Sequence, residues 1–200
     1  MNEYVSPTTA LALGITLAWL AGMRVYLTVF GVGIAGLMGW MPIPESMQAV
    51  TSPWILGLCL AMAGIEFMAD KLPGVDSIWD LIHTLVRIPG GAFVGGLALS
   101  DGQELSTAGM VTGGAVALLA HGLKSGTRAL VNHSPEPVSN AAVSSTEDLV
   151  SASGLALVFA YPFLSFALLV MFAVFLVLLV WAAKSLLVRL FGTSSNLRPA

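Results

Sequence analysis

Between Glu66 and Arg87 the sequence reads EFMADKLPGVDSIWDLIHTLVR, which sets seven ionisable side chains between two apolar segments. A charge near the centre of a bilayer costs roughly 2.5–3.5 kcal/mol on insertion scales, so a chain that carries several must pair them or line a polar cavity with them. On a helix, Asp76, Asp80, His83 and Arg87 fall at offsets of 4, 3 and 4 and share one face. Glu66 and Asp70 repeat the offset of 4 one segment earlier.

Composition makes the bilayer the relevant solvent. The 200 residues are 56% hydrophobic and 10% charged, with a mean hydropathy of +0.88, whereas soluble domains carry about 25% charged residues. These values predict an all-α, polytopic membrane protein, one domain over residues 1–200. The formal charge of −3 and only eight Lys plus Arg leave no basic surface for a phosphate backbone, so nucleic acid is not a partner class. Cys59 is the only cysteine and lies in an apolar run, which rules out an internal disulfide. The amino end, MNEYVSPTTALALG, has no basic region ahead of its apolar run, so that run is expected to belong to the mature fold.

Segment lengths give about six membrane-embedded pieces, some short or broken. Thr8 to Met41 would be about 50 Å as one helix, against a hydrocarbon core of about 30 Å. A break near Gly22 and Arg24 divides it into Thr8 to Met23 and Val25 to Met41, the second stopped by Pro42 and Pro44. Within the second piece Gly31, Gly33 and Gly36 spell GxGxxG, but no strand precedes them, so they predict close helix packing and no dinucleotide site. Pro53 to Ala69 and Asp76 to Ser100 follow, separated by the turn Leu72 to Gly74. The next segment is Thr107 to Leu123. The pairs Gly91 and Gly95, then Gly109 and Gly113, are GxxxG spacings suited to close approach of helices or to a homo-oligomer. Pro162 divides the last apolar stretch, leaving a full helix over Phe163 to Ala183 and a short tail at 192–200.

A second charged face is basic: His121, Lys124, Arg128 and Asn132 recur at offsets of 3, 4 and 4. Beyond it, residues 132–148 (NHSPEPVSNAAVSSTED) read as a Pro/Ser-rich cytoplasmic loop, with a new helix beginning near Ser144. The connections at Pro42 to Ser52 and Asp101 to Ser106 carry only acids, whereas Lys71, Lys124 and Arg128 fall at the opposite ends of their segments. With Lys184, Arg189 and Arg198 after the last span, positive-inside bias predicts a multi-pass protein of the bacterial inner membrane with a cytoplasmic carboxyl terminus.

Three uses of these charges compete. The acids could pair with Arg24, Lys71, Arg87, Lys124 and Arg128 inside the bundle, or the Asp76 to Arg87 helix could lie on the membrane surface with its charges in water. Glu66, Asp70, Asp76, Asp80 and His83 could also bind a divalent cation, although no HExxH or paired CxxC is present and no cofactor is expected. Serines 134, 139 and 144 with His83 or His133 form no local triad, so catalysis is not the expected activity.

AGMRVYL (Ala21 to Leu27), EFMADKLPGVDSIWDLIHTLVRIPGGA (Glu66 to Ala92) and KSGTRALVNHSPEPVSN with the later ED (Lys124 to Asp148) resemble the domain-of-unknown-function family 4126 of small bacterial membrane proteins. The resemblance implies a multi-span helical protein whose characteristic positions are Arg24, Glu66, Asp70, Lys71, Asp76, Asp80, His83, Arg87, Lys124, Arg128, Glu136, Asn140, Glu147 and Asp148. The expected function is a transporter or channel for a small ion, an anionic solute or a lipid head group, with these residues, Glu136 aside, as its binding site. The alternative is a non-transporting scaffold whose charge network is structural.

Overall fold

A computed structural model describes residues 6–72, 74–101, 103–131 and 137–191. These residues form α1 (Pro7–Met23), α2 (Val25–Leu37), a short 3-10 helix (Glu45–Thr51), α3 (Pro53–Ala69), α4 (Val75–Ala98), α5 (Thr107–Val131), α6 (Pro137–Ala160) and α7 (Pro162–Phe191). The all-α expectation holds, with no strand among the described residues. Two helices, Val75–Ala98 and Pro162–Leu186, are long and apolar enough to cross a membrane.

Local chemistry sets the helix ends. Ser6 and Ser52 cap α1 and α3 by accepting hydrogen bonds from Thr9 N (3.2 Å) and Ile55 N (3.3 Å), and in each case proline takes the next position. Arg24 (φ −142°, ψ 77°) breaks the first apolar run where Gly22 and Arg24 predict a break. The other end of α2 differs from expectation: it stops at Leu37, not Met41. Gly39 adopts φ +72°, its N–H bonds Gly36 O (3.1 Å) and Trp40 N–H bonds Ala35 O (2.8 Å), a Schellman closure that needs a left-handed residue. The prolines come after the helix has already ended.

Two further boundaries differ. α5 continues past Leu123 to Val131, and α6 begins at Pro137, so residues 137–148 are helix and not loop. Proline at the first helical position lacks only an N–H that would be unpaired there anyway. Asn132, His133, Ser134, Glu136 and the 192–200 tail lie outside the described residues.

The chain packs as two compact units, residues 1–166 and 167–200. In the first, α4 and α5 make the most extensive helix pair and α1 lies against both. A core of Leu13, Leu17, Leu20, Val32, Val94 and Leu97 fills the space between helices. The close approach rests on absent side chains: a Cβ on Gly95 would lie 2.5 Å from Gly109 O and 2.9 Å from Gly113 Cα. Gly31, Gly33 and Gly36 face Leu155, Val50 with Leu56, and Ile43, so the GxGxxG spacing is a packing feature. In the second unit, residues 167–183 of α7 (ALLVMFAVFLVLLVWAA) contain no charged residue.

Because the Gly95 contact is with backbone, which cannot yield, Gly95→Ala is expected to lower stability by about 1–3 kcal/mol. At Gly64 an added Cβ meets nothing within 4 Å, so Gly64→Ala is expected to raise stability by up to about 1 kcal/mol through helix propensity. Thermal melts in detergent measure both.

Candidate functional site

The site lies where the carboxyl ends of α1, α3 and α5 meet the amino ends of α4 and α6. In the first half of α4 the face formed by Asp76, Asp80, His83 and Arg87 is buried, and Ile78, Leu81, Ile82 and Leu85 on the other side are exposed. On α5, His121, Lys124 and Arg128 are buried, while Leu118, Leu119 and Leu130 are exposed. Asn140, Ser144, Glu147 and Ser151 give α6 a buried polar face at offsets of 4, 3 and 4. Charge points inward and hydrocarbon outward.

Two nodes join these faces. Arg87, fully buried, bonds Glu66 Oε1 (2.7 Å) through Nη2 and Asp80 Oδ1 (2.5 Å) through Nη1, tying α3 to α4. Nη1 also lies 3.0 Å from His121 Nδ1. A guanidinium can only donate, so Nδ1 accepts and the His121 proton sits on Nε2. It points at Thr84 Oγ1 (2.7 Å), whose own hydrogen goes to Asp80 O (3.0 Å).

The second node is Asp70, at the end of α3. Its Oδ2 pairs with Lys124 (2.6 Å) and Arg24 (2.8 Å), and Arg128 stands 3.7 Å away. Arg128 bonds Asp70 O (2.9 Å), Asn140 Oδ1 (2.7 Å) and Glu147 Oε2 (2.7 Å), and lies 3.6 Å from Asp76 Oδ2. Asp76 meanwhile closes the start of α4, accepting from Gly74 N (2.9 Å) and Ser77 N (2.7 Å). Arg24 also pairs with Asp148, which holds Lys71 at 2.7 Å. Lys124 links the nodes, 3.4 Å from Asp80 Oδ1.

Among the described residues the network comprises five cations (Arg24, Lys71, Arg87, Lys124, Arg128) and six carboxylates (Glu66, Asp70, Asp76, Asp80, Glu147, Asp148). Glu66 Oε2, Asp70 Oδ1 and Asp80 Oδ2 are buried with no hydrogen-bond partner. No group of three His, Cys, Asp or Glu among the described residues is arranged to hold a metal. The carboxylates face guanidinium and ammonium groups instead.

Every residue expected at the site joins this network except His83. Its Nδ1 is 2.8 Å from Trp79 O and its Nε2 3.0 Å from Tyr26 OH, with its ring stacked on Trp79. Sequence reasoning did not place Tyr26, Thr84, His121 or Ser144, which lies 3.4 Å from Lys71 Nζ, at the site. Thr84 is four residues from Asp80, so helical spacing was its available signal, and the same spacing had already set His121 on the basic face with Lys124 without giving it a role.

Breaking one partner of a buried ion pair typically costs about 3–5 kcal/mol, because the other charge is left without compensation. Arg87→Met alone is therefore expected to destabilise strongly, whereas Arg87→Met with Glu66→Gln and Asp80→Asn is expected to recover most of the loss. Denaturant or thermal unfolding in detergent reads the difference.

The family model described as Domain of unknown function (DUF4126) matches residues 11–182. No curated protein and no solved structure matches the chain. The matched range takes in every side chain of the network, and the chain belongs to the DUF4126 family.

Proposed function

We propose that this chain is a polytopic protein of the bacterial cytoplasmic membrane whose charge network binds and passes a small, positively charged species, a proton or a monovalent cation. Several observations support a lipid environment: α4 and α5 expose Leu81, Leu85, Leu119 and Leu130, α3 exposes Trp54 and Leu58, and the charges lie inside. Soluble monomers rarely expose contiguous apolar patches beyond a few hundred Å². Lys71, Lys124 and Arg128 share one end of the bundle, and the acid-only connections belong to the other, which favours a cytoplasmic site and carboxyl terminus.

The composition of the network carries the functional reading. Buried ion pairs are often no more stabilising than well-packed apolar residues, so eleven interlocked charges are a poor route to stability alone. Their sum is one carboxylate in excess, and three carboxylate oxygens have no hydrogen-bond partner. That surplus attracts positive charge. An anion would have to displace carboxylates from cations that are all already paired.

A structural lock is the second reading, favoured by the way the pairs connect the α1–α2 break, α3, α4, α5 and α6. Flux into proteoliposomes separates the two. Under an imposed proton or monovalent-cation gradient, the wild type is expected to pass the ion. Glu66→Gln and Asp80→Asn are expected to lower the melting temperature, because each leaves Arg87 short of a buried partner, and to cut the rate per folded molecule, measured below that temperature, by about tenfold or more, a change of about 1.4 kcal/mol in barrier. Failure of the wild type to pass any such ion would overturn transport, and unfolding of every neutralised variant would favour the lock.

A further inference from the structure

Of the network's five cations, four are sealed in: the side chains of Arg24, Arg87, Lys124 and Arg128 are 0–3% exposed. Lys71 is 24% exposed and the carboxylate it holds, Asp148, 20%. Among the described residues this pair is the most open point of the network. Lys71 is also the cation that can leave without stranding a buried charge. Asp148 keeps Arg24 on its other oxygen, whereas loss of Arg87 would strand Glu66 and Asp80 away from water.

Several groups build the seat of this ammonium. Lys71 Nζ lies 2.7 Å from Asp148 Oδ2, 3.4 Å from Phe67 O, 3.4 Å from Ser144 Oγ and 3.2 Å from the centre of the Phe67 ring. The Lys71 N–H bonds Met68 O (3.2 Å) at the close of α3, which turns the Phe67 carbonyl over to the ammonium. A carboxylate, a carbonyl, a hydroxyl and an aromatic face are ligands that a small monovalent cation shares with an ammonium group. Behind the seat, Asp148 Oδ1 meets Arg24, whose Nη1 is 2.8 Å from Asp70 Oδ2, so a cation taken up here stands one guanidinium from the centre of the cluster.

We infer that Lys71 is a tethered counter-ion closing the entrance to the network, and that the seat it vacates is the first binding position of a small monovalent cation of ammonium or potassium size. The inference rests on the cation reading proposed above and narrows it to an ion that can stand where the ammonium stands. A tethered group competes at an effective concentration of about millimolar or above. The entrance therefore opens only to an ion abundant enough to hold Asp148 in the lysine's place.

Thermal melts of the full chain in detergent, with potassium or ammonium chloride against the bulkier choline chloride at equal ionic strength, test the seat. Wild type is expected to melt alike in all three. Lys71→Ala empties the seat and is expected to melt about 2–4 °C higher in potassium or ammonium than in choline, the shift from a saturable ligand at a few times its Kd. Adding Asp148→Asn is expected to remove that difference. The wild type gives a second readout, which decides the matter where Lys71→Ala does not fold: potassium in place of choline is expected to speed acetylation of Lys71, read by peptide mass spectrometry, while Lys124, 1% exposed, stays unmodified. In proteoliposomes Lys71→Ala is expected to lower the half-saturating cation concentration about tenfold by removing the tethered competitor. Equal melting of folded Lys71→Ala in the three salts, a difference that survives Asp148→Asn, Lys71 acetylation indifferent to potassium, or an unchanged half-saturation would overturn the inference. Cation-dependent melting of Lys71→Ala with no flux through the wild type leaves the seat standing and removes the transport reading, and flux without that dependence does the reverse.

Discussion

The contact on which the rest depends is the Asp70 carboxylate, where cations from three places in the chain converge. Arg24 comes from the break between α1 and α2, and Lys124 and Arg128 from successive turns of α5. The Asp70 carbonyl adds α6, through Arg128 (2.9 Å) and the Asn140 amide (3.3 Å). A carboxylate at the last turn of a helix faces unfavourable dipole charge, so it belongs there only if cations surround it. The helices whose ends carry those cations are thereby fixed in position, and the Gly-lined contact of α4 with α5 brings Asp80 and Arg87 against the same cluster.

That convergence explains the distribution of polarity. Asp76, Asp80, His83 and Arg87 occupy the face of α4 that a soluble protein would fill with leucine, and leucine and isoleucine occupy the face it would fill with charge. An ion pair shielded from water is strong but costly to desolvate, so such a core is unforgiving of a single lost partner. It is also the kind of interior in which the arrival or departure of one positive charge changes the balance of all its neighbours. In the proposed reading, stability and ion handling draw on the same groups, and that makes neutralisation of a partly unsatisfied carboxylate more informative than removal of a fully bonded arginine.

Much of this was legible in the residues. The 4, 3, 4 spacing from Asp76 to Arg87 predicts that the four share one face, while leaving open whether that face is buried or meets water, and Ser-Pro pairs mark the starts of α1 and α3. What failed did so for physical reasons. Residues 132–148 read as loop, with a helix only from near Ser144, because prolines and helix-capping residues crowd that stretch; in fact Asn140, Ser144 and Glu147 pack inward from a helix against Lys71 and Arg128. Hydrophobic patterning inverts in such a helix. The early end of α2 turned on one left-handed glycine, a signal weaker to the eye than the two prolines behind it. Which acid meets which cation depends on how α3, α5 and α6 assemble, and no spacing within one helix encodes that.

Site-directed spin labelling tests the inverted arrangement most directly. With Cys59, the only native cysteine, replaced by serine, single labels at Leu81, Leu85, Leu119 and Leu130 in liposomes report collision with oxygen, which concentrates in lipid, and with a water-soluble nickel chelate. The account predicts that oxygen dominates at all four positions, marking the outer faces of α4 and α5 as lipid-facing. Dominance of the nickel chelate at these positions would place the faces in water, and the charged interior would then belong to a protein of a different kind.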